Sequence, residues 1–431
     1  DGGYAVSNYR EIDPKFGSLE DFKELLHKAH EKGLRVYTDF VMCHTSDEHE
    51  WFKKSRNREE GFEDRYVWAD GKKDENGKLI LVDGKPVPPN NWKSVFLDEN
   101  KNPRSAWTFD GKINEDGTLV EGSGRGQFYL HHFNNSQPAL NANDPKVQDA
   151  VIEEMKFWLD NKVDGLRLDA LPYANYDQEK RANPARGDSG GHYWDQQWFE
   201  HSMCQAQTVG YVAKIREMFD SYPETIEGIG GRRTLGEAIA GKDGGSKSME
   251  VAATYVNEEN GLHTVYTEPK FWPNHAMGKH SGYPSAGELK DYLKDIEKYF
   301  PNGAMCNYLS NHDFSRAATR MMPPNIKEEE RTTVLKQLMA INFALPGSVC
   351  MYQGEELGLP DARIKDPLDQ DKSYDIPYDK RQDKLDNKNC RDIARAPMPW
   401  DSGSENAGFS TSSDPYLPMP KGYESMAVNE Q

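Results

Sequence analysis

Apolar positions follow one repeating order along much of the chain: a stripe at helical spacing, then a short unbroken apolar run. Ser18-Leu-Glu-Asp21 has the reciprocal pattern of a helix capping box. Leu19, Phe22, Leu25, Leu26 and Ala29 then recur at helical spacing, and Gly33 ends the helix. Leu34–Val41 follows as a strand. The order repeats when Asp144-Pro145 opens a helix bearing Val147, Val151, Met155, Trp158 and Leu159 on one face, ahead of the strand Val163–Asp169. A helix near Thr208–Phe219 precedes Thr234–Glu237. One over Ala286–Tyr299 precedes Ala304–Leu309, and one over Lys327–Phe343 precedes Gly347–Gln353. Helices alternating with short strands predict a parallel α/β architecture. Polar residues gather at the C-terminal strand ends, where a (β/α)8 TIM barrel carries its chemistry.

Between about His44 and Ser136 the order breaks into a stretch rich in Gly, Asn, Asp, Lys and Pro. Asn76-Gly77 and Asp83-Gly84 signal hairpins there. The expectation is an inserted, mostly irregular or β subdomain. A second irregular stretch, about Glu355–Tyr416, is rich in Asp and Pro and reads as elaborated loops over the cleft.

Composition narrows the function classes. A length of 431 residues predicts two or three domains and a large core. The net charge of −18 argues against nucleic acid and anionic membrane as partners and leaves a neutral, polar substrate unaffected. The 9 Trp, 21 Tyr and 17 Phe argue against the disorder that charge alone would suggest. Cys43, Cys204, Cys306, Cys350 and Cys390 are odd in number and far apart, which fits a reducing, cytoplasmic setting.

Three strand ends carry carboxylates: Asp169, Glu237 and Asp313. Glycoside cleavage needs such a set, one acid to protonate the leaving oxygen and a second carboxylate to attack or to activate water. Arg167, two residues before Asp169 on the same strand face, is placed to orient that carboxylate. Burial beside a like charge would suit Glu237 to the acid role. His44 and His312 also sit at strand ends. His131-His132 lacks the rest of a zinc set, so its reading is structural and no metal site is predicted.

The ordered series Asp39-Phe-Val-Met-Cys-His44, Gly165-Leu-Arg-Leu-Asp169, Gly236-Glu237 and Ser310-Asn-His-Asp313 resembles glycoside hydrolase family 13, the α-amylase family. Asp1-Gly-Gly-Tyr4, Gln137–Asn141, Tyr352–Gly358, Arg391–Trp400 and Asn406–Thr411 are similar to its α-glucosidase and oligo-1,6-glucosidase group. The resemblance implies that Asp169 is the nucleophile, Glu237 the acid/base and Asp313 a transition-state stabiliser. It implies that Asp1 and Arg391 hold the non-reducing glucose, Tyr4 stacks beneath it, His44 and His312 bond its hydroxyls, and Phe133 lines the acceptor side. It further implies a retaining exo-α-glucosidase acting on short oligosaccharides, as a monomer or homodimer, with no cofactor. A structural Ca2+ or Mg2+ would belong to the part of the family's barrel before Asp1. The rival readings are a glucosyltransferase or a maltose-to-trehalose isomerase on the same site, and a non-enzymatic transporter-associated homologue.

Three positions depart from the family pattern: Ala5 and Ala139 stand where Asp is usual, and Cys43 where Asn or Ser is usual. Cys43 would serve a hard cation poorly. Ala170, after the nucleophile position, implies maltose-type rather than isomaltose-type preference. By the resemblance, Leu34–Val41 is the third barrel strand. The expected organisation is a partial barrel start over 1–43, an inserted subdomain over 44–136, the barrel continued over 137–354, and a loop subdomain over 355–431 leading into a C-terminal domain. On that reading this stretch, expressed alone, does not fold stably. A cooperative thermal unfolding transition from it would contradict that expectation.

Overall fold

The computed structural model describes residues 3–97, 103–114, 117–185, 197–228, 230–239, 246–257, 259–267, 284–313, 315–323, 326–362, 391–412, 415, 417, 419–420 and 422–431. The chain divides into two compact units, Asp1–Thr267 and Glu268–Gln431.

The first unit opens with helix α1 (Leu19–Glu31), closed at its start by the expected capping box. The Asp21 N–H donates to Ser18 Oγ at 3.2 Å, and the Ser18 N–H donates to Asp21 Oδ2 at 2.7 Å. Strand β1 (Tyr37–Val41) starts later than the apolar run, because the Leu34 N–H still bonds back to the Ala29 carbonyl at the helix exit. The insertion then holds one short helix, α2 (Glu50–Arg56), which the mostly irregular or β reading did not single out. Its cap is His49, whose Nδ1 accepts from the Trp51 N–H at 3.0 Å; His is not a residue type that announces a helix start. The rest of the insertion is short antiparallel pieces: β2 (Trp68–Ala69), β3 (Leu81–Val82), β4 (Lys85–Pro86), β5 (Lys93–Leu97), β6 (Pro103–Ser105), β7 (Trp107–Asp110) and β8 (Gln127–Leu130). The Asp83-Gly84 turn joins β3 to β4 with φ of 50° and 71°, the left-handed pair that a tight hairpin needs.

Helix α3 (Pro145–Asp160) begins at the Asp144 cap and buries Val147, Val151, Met155, Trp158 and Leu159. Strand β9 (Gly165–Asp169), helix α4 (Gln207–Asp220), strand β10 (Arg233–Glu237), helix α5 (Ser246–Thr254) and strand β11 (Thr264–Tyr266) follow. A single parallel sheet results, in the order β1-β9-β10-β11. Strand β11 is the element the hydrophobic pattern did not reveal, for it has three residues and begins on a threonine. Packing is close at Gly236: a Cβ there would sit 2.6 Å from a Leu262 methyl and 3.1 Å from a Leu171 methyl, which would have to shift.

The register of this sheet is pinned beneath the site. Asp164, almost fully buried before β9, accepts the Val36 N–H at 2.7 Å, and its Oδ2 lies 2.8 Å from His30 Nε2. Thr225 Oγ1 bonds its other oxygen, and its backbone links Val36 to Arg233. One side chain therefore ties the exit of α1 to the entries of β1 and β9.

The second unit contains helix α6 (Ala286–Tyr299), strand β12 (Cys306–Tyr308), helix α7 (Ala317–Arg320), helix α8 (Glu328–Ala344) and strand β13 (Ser348–Cys350). Strands β12 and β13 are parallel neighbours, with Cys306 opposite Ser348 and Tyr308 opposite Cys350. Leu309, Ala317, Met321, Met322 and Leu338 form an apolar cluster beside them.

Replacing Asp164 with Ala strands the Val36 N–H and removes the His30 partner. We expect Asp164→Ala to lower the unfolding free energy of the intact protein by about 3 kcal/mol. An unchanged urea midpoint would show that the clasp does not matter.

Candidate active site

Alternation along β9 places Arg167 and Asp169 on one face, and register places Asp39 of β1 directly beside Arg167. Arg167 Nη1 donates to both Asp39 carboxylate oxygens at 2.8 Å, and to Asp169 Oδ1. Its Nη2 lies 2.8 Å from Glu237 Oε2. Its Nε and Nη2 donate to the Tyr266 hydroxyl at 2.9 and 2.6 Å. Two carboxylates at the C-terminal ends of adjacent strands thus share one guanidinium, and Asp169 and Glu237 are only 7% and 9% exposed.

The chain turns sharply after Asp169. Ala170 adopts φ 47°, ψ 37°, a left-handed conformation that costs an alanine about 1–2 kcal/mol. This turn aims the Ala170 N–H at Glu237 Oε2, 2.8 Å away. Glu237 is therefore gripped from one side by a backbone amide and from another by Arg167. A short 3-10 turn, Leu171–Tyr173, then brings Tyr173 against His132 and Phe133, both with ring centroids 5.1 Å away.

One positive charge serves three carboxylates. Burial alone would lower the Arg167 guanidinium, but Glu237, Tyr266, Asp169 and Asp39 together hold it well above its ordinary value. Asp169 does not receive a matching benefit. Burial pushes its carboxyl well above the ordinary 3.8; Arg167 opposes this, while Glu237 and Asp39 add to it. Both values move up, which favours the charged form of Arg167 and the neutral form of Asp169, because Asp169 has only a share of the cation.

The other expected residues of this unit lie around that centre. The Tyr4 hydroxyl donates to Asp39 Oδ2 at 2.8 Å. His44 Nε2 is 2.9 Å from the Tyr4 carbonyl, which can only accept, so Nε2 carries the proton. Its Nδ1 is then the acceptor facing Cys43 Sγ at 3.2 Å. Burial lowers His44 to about 4, partly offset by the Tyr4 carbonyl, so the ring is neutral at pH 7. Burial and the nearby Asp169 charge push the Cys43 thiol up, which keeps it a donor. Phe133 packs between His44, Phe96 and Tyr173, forming an aromatic wall. Ala139, one of the departures, is buried among Val67, Trp92, Trp107 and Phe128 and pairs by a backbone bridge with His44.

In the second unit, Asp313 follows β12 with His312 Nε2 at 3.5 Å from its Oδ2. Arg395 Nη2 lies 3.4 Å from Asp313 Oδ1, and Arg395 Nε donates to the His312 carbonyl at 2.8 Å. Asp1 and the side chain of Arg391 lie outside the described residues. Sequence reasoning missed roles for Asp39, Tyr266 and Arg395. Asp39 opens the first quoted motif and Arg395 lies one helical turn beyond Arg391, so both carried a signal; Tyr266 stood on the unrecognised strand. Among the described residues no group of three or more His, Cys, Asp or Glu side chains is arranged to hold a metal ion. No helix among them is long and apolar enough to cross a membrane.

Comparison with known proteins adds a lineage to this geometry. A family model described as the α-amylase catalytic domain matches residues 1–431. A probable α-glucosidase of Rhizobium meliloti (strain 1021) is 33% identical over 440 residues, covering 100% of this chain and 69% of that protein. Maltase 1 of Drosophila virilis is 32% identical over 445 residues, covering 100% of this chain and 61% of that protein. A solved structure of an α-glucosyl transfer enzyme superposes with a TM-score of 0.77 at 33% identity, covering 99% of this chain and 70% of that one. The chain thus spans about two thirds of the length of the proteins it matches.

The raised Asp169 carboxyl has a consequence for stability. Its folded-state value lies above its unfolded value, so ionising it opposes folding at any pH above the folded value. Asp169→Asn is therefore expected to melt at a higher temperature than the parent at pH 7. The gain should shrink as pH falls through the folded value and vanish below about 3.9. A variant less stable than the parent at pH 7 would contradict this.

Proposed function

The chain belongs to the α-amylase family, whose catalytic domain is a (β/α)8 barrel, and from that premise we propose that it is a retaining, exo-acting α-glucosidase. The observation that carries the proposal is the buried Asp169–Glu237 pair bound to one guanidinium at adjacent strand ends. In the first step Glu237 gives its proton to the glycosidic oxygen while an Asp169 carboxylate oxygen attacks C1. The C1–O bond breaks, a glucosyl ester forms on Asp169, and the aglycone leaves as an alcohol. In the second step Glu237, now a carboxylate, takes a proton from water as that water attacks C1. The ester breaks, Asp169 returns as a carboxylate, and glucose leaves with its original α configuration.

The arrangement favours the charge changes this path requires. Positive charge developing at C1 in the transition state stabilises the Asp169 anion, whose burial is unfavourable in the empty site. Glu237 stays oriented by the Ala170 amide in both protonation states, because an unprotonated oxygen can accept that bond throughout. Asp313, with Arg395 and His312 beside it, is assigned to gripping sugar hydroxyls on the strength of the motif Ser310–Asp313. Asp1 and Arg391 are assigned to closing the pocket around the non-reducing glucose on the same ground.

A second reading, glucosyl transfer to a sugar acceptor, is favoured by one observation. The partly exposed rings of Phe133 and Phe96, with Phe133 packed on the buried Tyr173, are apolar faces of the kind on which an acceptor sugar stacks. The 33% identical structure named as an α-glucosyl transfer enzyme supports the same reading. Product analysis separates the two: free glucose against new oligosaccharides.

Glu237→Gln should reduce maltose hydrolysis by about 10²–10⁴-fold, the usual contribution of a positioned acid. It should lower kcat/KM for a glucoside with a nitrophenolate leaving group far less, since that group needs no proton in the first step. Equal losses of kcat/KM on both substrates would remove Glu237 from the acid role. The parent is expected to show a higher kcat/KM on maltose than on isomaltose, and the reverse order would overturn the linkage preference.

A further inference from the structure

The Tyr266 hydroxyl has no place in the chemistry above, yet it meets the group on which that chemistry depends. Every nitrogen of the Arg167 fork is engaged. Nη1 serves Asp39 and Asp169, Nη2 serves Glu237 and Tyr266, and Nε serves Tyr266. Three of these partners are carboxylates, and each would draw the guanidinium toward itself. Only Tyr266 receives two of its nitrogens, at 2.9 and 2.6 Å, the bidentate contact that fixes both the plane and the rotation of the fork. Register explains how it reaches: Tyr266 of β11 stands directly opposite Glu237 of β10, and Leu235 of β10 stands opposite Arg167 of β9. The Tyr266 side chain therefore spans the width of β10 to arrive from the side opposite Asp39. Its ring also lies under the cation, 5.7 Å from the guanidinium carbon.

We propose that Tyr266 is a positioning residue: it holds the Arg167 fork from the β11 side, so that Nη1 stays on Asp169 and Nη2 on Glu237. A phenol suits the task because it accepts hydrogen bonds while remaining uncharged at neutral pH. A fourth carboxylate would add charge to a site already holding three against one. A phenylalanine would keep the ring and lose the acceptor. The Nε proton would then face a buried surface without a partner, and the fork would swing toward Asp39, its more exposed carboxylate neighbour. Both reacting carboxyl groups would lose their common reference point.

The proposal rests on the glycosidase reading for its kinetic consequence and on geometry alone for its structural one, so the test has two arms. In the first, the intact protein and its Tyr266→Phe variant are assayed on maltose. The expected result is a kcat lower by about 10- to 100-fold, the scale of a misplaced reacting group, with KM unchanged and an unchanged melting temperature. An unaltered kcat, or a raised KM at constant kcat, overturns the proposal. In the second, the crystal structure of Tyr266→Phe is expected to have the guanidinium turned off Asp169 or Glu237. An unmoved fork overturns the proposal whatever the kinetics. If the parent hydrolyses no glucoside and Asp169→Asn is no different, the glycosidase reading fails and the crystallographic arm still decides the role of Tyr266.

Discussion

One guanidinium holds three carboxylates, two of them buried, and most of the surrounding structure exists to keep that ratio tolerable. A lone buried carboxylate would simply take up a proton. Three of them around Arg167 remain as a set because the cation is shared and because neutral donors, the Tyr4 hydroxyl and the Ala170 amide, satisfy further lone pairs. The sharing demands parallel strands in fixed register, with Asp39 opposite Arg167 and Tyr266 opposite Glu237. A slip of one residue would send these side chains to the other face of the sheet. The Asp164 clasp at the entry of β9 ties α1, β1 and β9 together in that register.

The same constraint explains what the sequence made legible. Helices α1 and α3 followed from apolar spacing and caps, and α6 and α8 from their place ahead of a short apolar run. The reacting pair was legible because Asp169 and Glu237 close two apolar runs. Strand β11 was not, because three residues beginning on threonine carry no periodicity, and Tyr266 went with it. Helix α2 escaped because its cap is a histidine. Ala170 in a left-handed turn and the shared fork of Arg167 are tertiary facts: they depend on distances between strands far apart in the chain, which no local pattern encodes.

The departures from the family pattern acquire a physical meaning in this setting. Ala139 packs into an apolar cluster and fixes the strand end bearing His44 through the backbone. Cys43 gives His44 a weak thiol donor, and burial keeps both neutral. Ala139 removes a carboxylate from beside His44, near a site that is already short of cations, whereas Cys43 exchanges one neutral side chain for another. The reacting carboxylates themselves are unaltered, and so is the arginine they share. The strongly acidic composition, −18 overall, thus has a local counterpart in which negative charge is rationed rather than spread.

The claim that everything else serves is that Asp169 attacks the sugar. It is tested most directly by incubating the protein with a slow-turnover fluorinated α-glucosyl fluoride and mapping the adduct by peptide mass spectrometry. The account predicts one glucosyl ester, on Asp169, absent from Asp169→Asn. An adduct on any other residue, or turnover to β-glucose with no adduct, would contradict it.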